Sequence, residues 1–528
     1  MVFFPLDRRD RHTLVLGKTG QGKTSLLARH AFKDMEAYEG AVVVIDPKGG
    51  VRGLAQILSR YIPEKCLDQC IWIDIEHPIP LDFMSHAEGQ KESVVADLTY
   101  ILTRGNLDAA AVELTKNISN LLFTLLNVNE NPRVMDDDRC TLLDVYRFFK
   151  NPKRQQFILD HITDPELASE WTKDSFPNQQ AQARILSRIN PLVRSETMRK
   201  VFDDPYPRLD IPRFLDRKGI ILASLPVKHP ASMDYGSFLV SKIQHAAFSR
   251  DDMVPDSQWV PIFLYIDEFR NFRASEDFTL MLTMARSFKL CLTLADLHLK
   301  FLDPDVREAL RIIDNYIVLK VDDDDAQFFK SMLDTEDKRG DLEREIERLI
   351  EQWHIEGKPK DDPVHAKYIK LRDYLKRVSL DEYDTLRINR QLSKLWEDWI
   401  SRGEPEHDPL YLRINRLIEK AEQTPWTVTM ADLKRLQSFE AIYFLSDQEP
   451  VKRPLKKAPP LDPTEEQRKK LEYIRNLTQK LYGAQPARFS TNRNSQSTPR
   501  HSTAIRHDEG NGKGDNIWEA EPQDHRDS

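Results

Sequence analysis

Residues 17–24 read Gly-Lys-Thr-Gly-Gln-Gly-Lys-Thr, with the apolar run Thr13–Leu16 before them and a helical stretch, Ser25–Phe32, after them. This octapeptide fits G-x-x-x-x-G-K-[ST] in the strand–loop–helix context that gives the pattern meaning. Its glycines let successive backbone N–H groups wrap an anion, and the N-terminus of the following helix adds partial positive charge. A chain that begins this way is strongly constrained toward a sheet whose strand ends present the loop.

The rest of the sequence supplies such a sheet. Apolar runs bounded by turn residues recur at Thr13–Leu16, Ala41–Ile45, Cys70–Ile75, Gly219–Ser224, Ile262–Ile266, Leu290–Leu294, Tyr316–Val321 and Ala441–Leu445. They are rich in Val, Ile and Leu without alternation, as strands buried on both faces read. Helical patterns separate them, which predicts an α/β fold, a P-loop core with a mostly parallel sheet. At 528 residues the chain exceeds one compact domain. We expect a first core segment at 1–90, an all-α insertion at 91–205 and a second core segment at 206–334. A charged helical insertion at 335–425, a final core strand within 426–450, a linker and helix at 451–483 and a disordered Ser/Asn/Gly/Arg-rich tail at 484–528 follow.

The insertion at 335–425 repeats at a spacing of 46 residues: Arg344, Leu349, Trp353, Gly357, Pro359, Asp362 and Pro363 recur as Arg390, Leu395, Trp399, Gly403, Pro405, Asp408 and Pro409. Each copy reads as a helix, a Gly-x-Pro break, an Asp-Pro restart and a second helix. Two tandem hairpins are expected, with Trp353 and Trp399 closing their apolar seams or, as the alternative, exposed for a partner. Basic residues such as Lys367, Arg372, Arg413 and Arg416 crowd the second helices. Docking of a partner or of DNA is one use for such a module; a solvated face balanced by nearby acids is the other.

Composition bounds the class of partners. The net charge of −8 gives no bulk attraction to nucleic acid, so any such contact needs a local basic surface. Four cysteines are too few for a disulfide scaffold and fit a reducing cytoplasm; Cys66 and Cys70 have no second pair at zinc-site spacing. Met1–Leu6 runs directly into Asp7-Arg8-Arg9-Asp10-Arg11, so no signal peptide is expected. The apolar runs fall well short of the roughly 20 residues a spanning helix requires.

Two motifs carry chemistry. In the loop, Gly17, Lys18, Thr19, Gly20, Gln21, Gly22 and Ser25 would frame ATP phosphates. Lys23 would reach the β- and γ-phosphates, and Thr24 would bind Mg²⁺. Downstream, Ile262–Ile266 ends in Asp267-Glu268. Asp267 would hold the magnesium through water, and Glu268 would orient and deprotonate the attacking water, as a hydrolase requires. The plain alternative is an acidic pair facing solvent.

Taken together, Arg11–Gly17 with its loop, Val44-Ile45-Asp46-Pro47-Lys48-Gly49 and Asp267-Glu268-Phe269 resemble the FtsK–HerA superfamily. Within it, the likeness is to the coupling proteins of type IV secretion systems, over about 1–330 and again near 428–450. The resemblance implies a cytoplasmic DNA-translocating ATPase. It would work as a hexamer with DNA in a central channel, with a relaxosome or membrane-anchored secretion partner. It also suggests that Arg286 reaches a neighbour's γ-phosphate; a salt bridge on its own helix is the alternative. A HerA-like DNA-processing or phage-defence motor working with a nuclease, and an ATP-binding switch without translocation, are the other readings. The sequence departs from the family pattern in three places. Gly50 replaces an acid, Asp296-Leu297-His298 stands where a sensor glutamine is usual, and the loop begins at residue 17, so neither a membrane anchor nor an N-terminal barrel is expected. Asp296 or His298 would have to substitute for the sensor.

Overall fold

The computed structural model describes residues 11–84, 89–103, 109–205, 207–229, 231–250, 256–272, 278–332, 338–355, 390–394, 413–414, 416–420, 428–445, 450–455 and 463–483. The protein is α/β, with nine strands among these residues, most of them parallel. They are β1 (Thr13–Leu16), β2 (Ala41–Asp46), β3 (Cys70–Asp74), β4 (Ile220–Ser224), β5 (Ile262–Ile266), β6 (Leu290–Asp296), β7 (Asn315–Val318), β8 (Glu440–Phe444) and β9 (Val451–Pro454). The chain divides into two compact units, and the division falls within β6.

The first unit comprises Met1–Asp10, Leu27–Leu292 and Ala458–Ser528. Four of its strands are parallel in the order β3-β4-β2-β5, with Val42 opposite both Ile220 and Phe263. All residues of β2, β3, β4 and β5 are buried, as two-faced coverage by helices demands of strands without alternation. Between β3 and β4 the regular elements among the described residues are helices. Asn151, Asp164, Asn178 and Ser195 cap helix starts there by accepting backbone N–H bonds. The buried carboxylate of Asp144 accepts from Arg154 Nε at 2.8 Å, which meets the cost of burying its charge. The helix Glu465–Tyr482 covers β3, where Thr478 Oγ1 accepts the backbone N–H of Trp72 at 3.0 Å and satisfies an otherwise open strand edge.

The second unit comprises Arg11–Leu26 and Thr293–Lys457. Here β1 lies between β6 and β7, parallel to both, with Leu16 opposite Asp296 and Val318. β8 and β9 are antiparallel additions beyond β7. The sequence did not announce β9: its Val-Lys-Arg-Pro has no apolar alternation, and none of its residues is fully buried, as suits a short edge strand ending in proline. In the region of the repeats, the helix Lys338–Ile355 buries Leu342, Ile346 and Leu349 with Ile414, so the first helix of the first copy meets residues from the second helix of the second. Arg413, one of the basic residues noted above, pairs with Glu345 at 2.6 Å. The Trp353 side chain and Trp399, like the tail, lie outside the described residues.

Candidate nucleotide site

The loop at 17–24 lies in the second unit, and neighbouring strands set its shape. Gly17 N–H donates to the Asp296 carbonyl at 3.4 Å and Lys18 N–H to the Lys320 carbonyl at 2.9 Å, which pins the loop's start between the ends of β6 and β7. Gly17 has no room for a side chain: a Cβ would stand 2.6 Å from Leu319 Cβ. Gly22 has φ +109°, and a Cβ there would meet the Phe439 ring at 2.9 Å. The helix Lys23–Ala37 then begins, with Leu26 N–H donating to the Gly22 carbonyl at 3.0 Å. The Lys23 side chain is buried, and its ammonium donates to the carbonyls of Gly17 and Lys18 across the loop. Thr19 and Gly20 are exposed, while Lys18, Gln21, Thr24 and Ser25 are half-buried.

Phe439 is a part of this site that motif reading misses. It adopts a left-handed backbone (φ +64°), donates its N–H to the Gln21 carbonyl at 3.1 Å and lays its ring against Gly22. Leu455, just past β9, donates its N–H to the Phe439 carbonyl at 2.6 Å. The late hairpin thus braces the loop from a position more than 400 residues away in sequence. No local pattern marks such a contact.

At the end of β6, Asp296 is fully buried and accepts the N–H of Leu297 at 2.6 Å. His298 Nδ1 lies 3.1 Å from carboxylate oxygens of both Asp322 and Asp325. Asp325 also accepts from Leu299 N–H at 3.0 Å, and Asp322 accepts from Asp325 N–H at 3.1 Å. This network ties the segment after β6 to the start of the helix Asp323–Met332.

The acidic pair lies in the first unit, at the end of β5. Asp267 is fully buried, and Lys48 Nζ donates to its Oδ2 at 2.6 Å. Burial pulls the Lys48 ammonium down, but the adjacent Asp267 carboxylate outweighs this and holds it above the ordinary lysine range. Glu268 follows with φ 47°, ψ 54°, a left-handed conformation that costs a non-glycine residue on the order of 1–3 kcal/mol. Its carboxylate lies 3.9 Å from Lys48 Nζ and 4.0 Å from Arg270 Nη2. Strain at this position turns the side chain after the strand away from the strand's own pleat. Arg286 is exposed on the 3₁₀ turn Ala285–Phe288, which follows the helix Phe278–Met284 in the same unit.

Asp46 ends β2 beside this pair and is fully buried, accepting N–H bonds from Lys48 at 3.0 Å and Ala55 at 3.2 Å. Burial raises its carboxyl from 3.8 to about 6; the Lys48 N–H pulls it down and the Asp267 charge pushes it up. A carboxyl raised on folding favours the folded state at low pH. That contribution is complete below the unfolded value of 3.8 and is lost as pH rises through about 6. Across this window Asp46 should cost the fold on the order of 1–3 kcal/mol. Denaturant midpoints measured in EDTA from pH 4 to 7.5 should show Asp46→Asn gaining on wild type up to about pH 6 and then holding level. Parallel curves would place the titration elsewhere.

Thr24 in the second unit offers a hydroxyl oxygen and Asp267 in the first a buried carboxylate paired with Lys48, each a hard donor of the kind Mg²⁺ takes. No described helix is long and apolar enough to cross a membrane. No protein-family profile matches the sequence, and no curated protein does. Among solved structures, the chain is similar to the plasmid coupling protein TrwB in complex with a non-hydrolysable GTP analogue, at 15% identity over 87% of this chain and 89% of that one (TM-score 0.49). It is similar to TrwB in complex with ADP and Mg²⁺, at 14% identity over 88% and 89% (TM-score 0.48). It is also similar to VirB4 of Thermoanaerobacter pseudethanolicus, at 13% identity over 63% and 83% (TM-score 0.32).

Proposed function

We propose that this protein is an ATP hydrolase that drives DNA translocation, of the kind that serves conjugative transfer. The observation that carries the hydrolytic reading is the pair at the end of β5. One carboxylate is buried against Lys48, and the next is held in a strained backbone that presents Glu268 beyond the strand. The motif at 17–24 supplies the matching phosphate-binding part. Its N–H groups and Lys23 would bind the phosphates, and Thr24 and Asp267 would hold Mg²⁺. When bound, the ion neutralises charge on the phosphates. Glu268 would take the proton of the attacking water, with Lys48 Nζ at 3.9 Å and Arg270 Nη2 at 4.0 Å from its carboxylate.

Translocation, a hexameric ring with DNA in its channel, Arg286 acting across a subunit boundary, and a relaxosome or membrane-anchored secretion partner at the cytoplasmic face all belong to this proposal. They rest on the sequence resemblance. Steady-state ATP turnover by the full chain, with and without single- or double-stranded DNA, tests it. The proposal expects DNA to raise turnover, and the strand form that does so names the track. Turnover indifferent to both forms would favour an ATP-driven switch. A motor that depends on a nuclease partner would be stimulated by DNA but would cleave it only when that partner is added.

A further inference from the structure

The helix Glu465–Tyr482 lies on the edge of the first unit's sheet and is not needed by the nucleotide chemistry. Its start is fixed by a capping box between Thr464 and Gln467, and Leu471, Ile474 and Thr478 are its buried residues. Where it passes the short helix Leu54–Ser59 and the turn after β3, it leaves a cleft of ≈ 440 Å³. That volume is within the range of small-ligand sites.

Among the described residues, the lining carries Arg60, Arg468 and Arg475 with His77, against one carboxylate, Glu472. Arg60 and Arg475 are held in place. Arg60 is 4% exposed, and its Nη2 donates to the Val51 carbonyl at 3.0 Å. The Arg475 guanidinium lies over the Trp72 ring at 5.0 Å and reaches Asp74 at 3.4 Å. Its Nε is buried with no hydrogen-bond acceptor among the described residues. A buried N–H of a charged group without an acceptor is costly, and a ligand oxygen would relieve that cost. Asp74 also accepts the Trp72 indole N–H at 2.5 Å and lies 3.1 Å from His77 Nδ1; its charge offsets that of Arg475, which leaves the charges of Arg60 and Arg468 in excess over Glu472. Planar guanidiniums pair bidentately with phosphate oxygens, and several on one cleft suit an anion that carries more than one such group.

We propose that this cleft binds a small anion carrying two or more phosphates, at a site separate from the loop at 17–24. The proposal is independent of the hydrolytic reading, so its test uses the full chain carrying Lys23→Ala. Calorimetric titration with sodium pyrophosphate should show one saturable site. Arg468→Glu, at an exposed lining position, should weaken binding about tenfold or more, as loss of a charge-assisted bond and its replacement by a like charge require. Lys469→Glu changes net charge equally on the same helix without lining the cleft and should leave the affinity unchanged. A parallel titration with ADP separates the sources: tighter binding than pyrophosphate identifies a nucleotide, and equal or weaker binding identifies the free anion. Absence of a saturable site, or equal losses in the two charge-reversal variants, would overturn the proposal.

Discussion

Glu268→Gln is expected to bind ATP about as well as wild type and to hydrolyse it roughly 10²–10⁴-fold more slowly, the usual contribution of a positioned general base. Glutamine keeps the size of the side chain and its ability to hold a water, but it cannot accept the proton. The backbone at this position is already left-handed, and the substitution does not alter that demand. Affinity and turnover should therefore separate: fluorescent-nucleotide titration reads the first and phosphate release the second. A Glu268→Gln enzyme with wild-type turnover would assign water activation to another residue.

The second large effect concerns Arg286. Arg286 is exposed on its 3₁₀ turn. If it completes a neighbouring subunit's site, Arg286→Ala should lose up to about 10³-fold in turnover while keeping ATP affinity, within what such arginines supply in related chemistry. Specific activity should also rise with protein concentration. Mixed rings of Arg286→Ala and Glu268→Gln subunits should regain turnover, because each supplies the group the other lacks. Verified mixed assemblies that stay inactive would make the arginine a residue of its own subunit's fold.

The sequence made some of this legible because the signals are local. The loop's glycines, lysine and threonine are contiguous, and β5 with its two acids is a single heptapeptide whose strand coincides with the expected Ile262–Ile266. β1 likewise coincides with Thr13–Leu16, since strands covered on both faces leave an unbroken apolar run. What escaped is non-local or lacks an apolar face. The Lys48–Asp267 ion pair joins residues 219 apart, and nothing near Lys48 names its partner. Phe439 braces Gly22 from the far end of the chain through a left-handed backbone that phenylalanine does not advertise. β9 is half-exposed and carries Lys452, Arg453 and Pro454, so its pairing with β8 satisfies backbone groups without burying a stripe. The tandem repeat was visible as a spacing, yet the described contact runs between Leu342, Ile346 and Leu349 of one copy and Ile414 of the other, a pairing that periodicity alone does not choose.

The most direct test of the hydrolytic account is phosphate release from ATP by the full chain beside Lys23→Ala, in magnesium and again in EDTA. Lys23 is a buried cation of the loop, with its ammonium held over the loop's own carbonyls, so its removal takes charge from the proposed phosphate site. The account predicts magnesium-dependent release by wild type, lost in Lys23→Ala together with nucleotide binding. Equal release from both proteins, or release indifferent to magnesium, would contradict it.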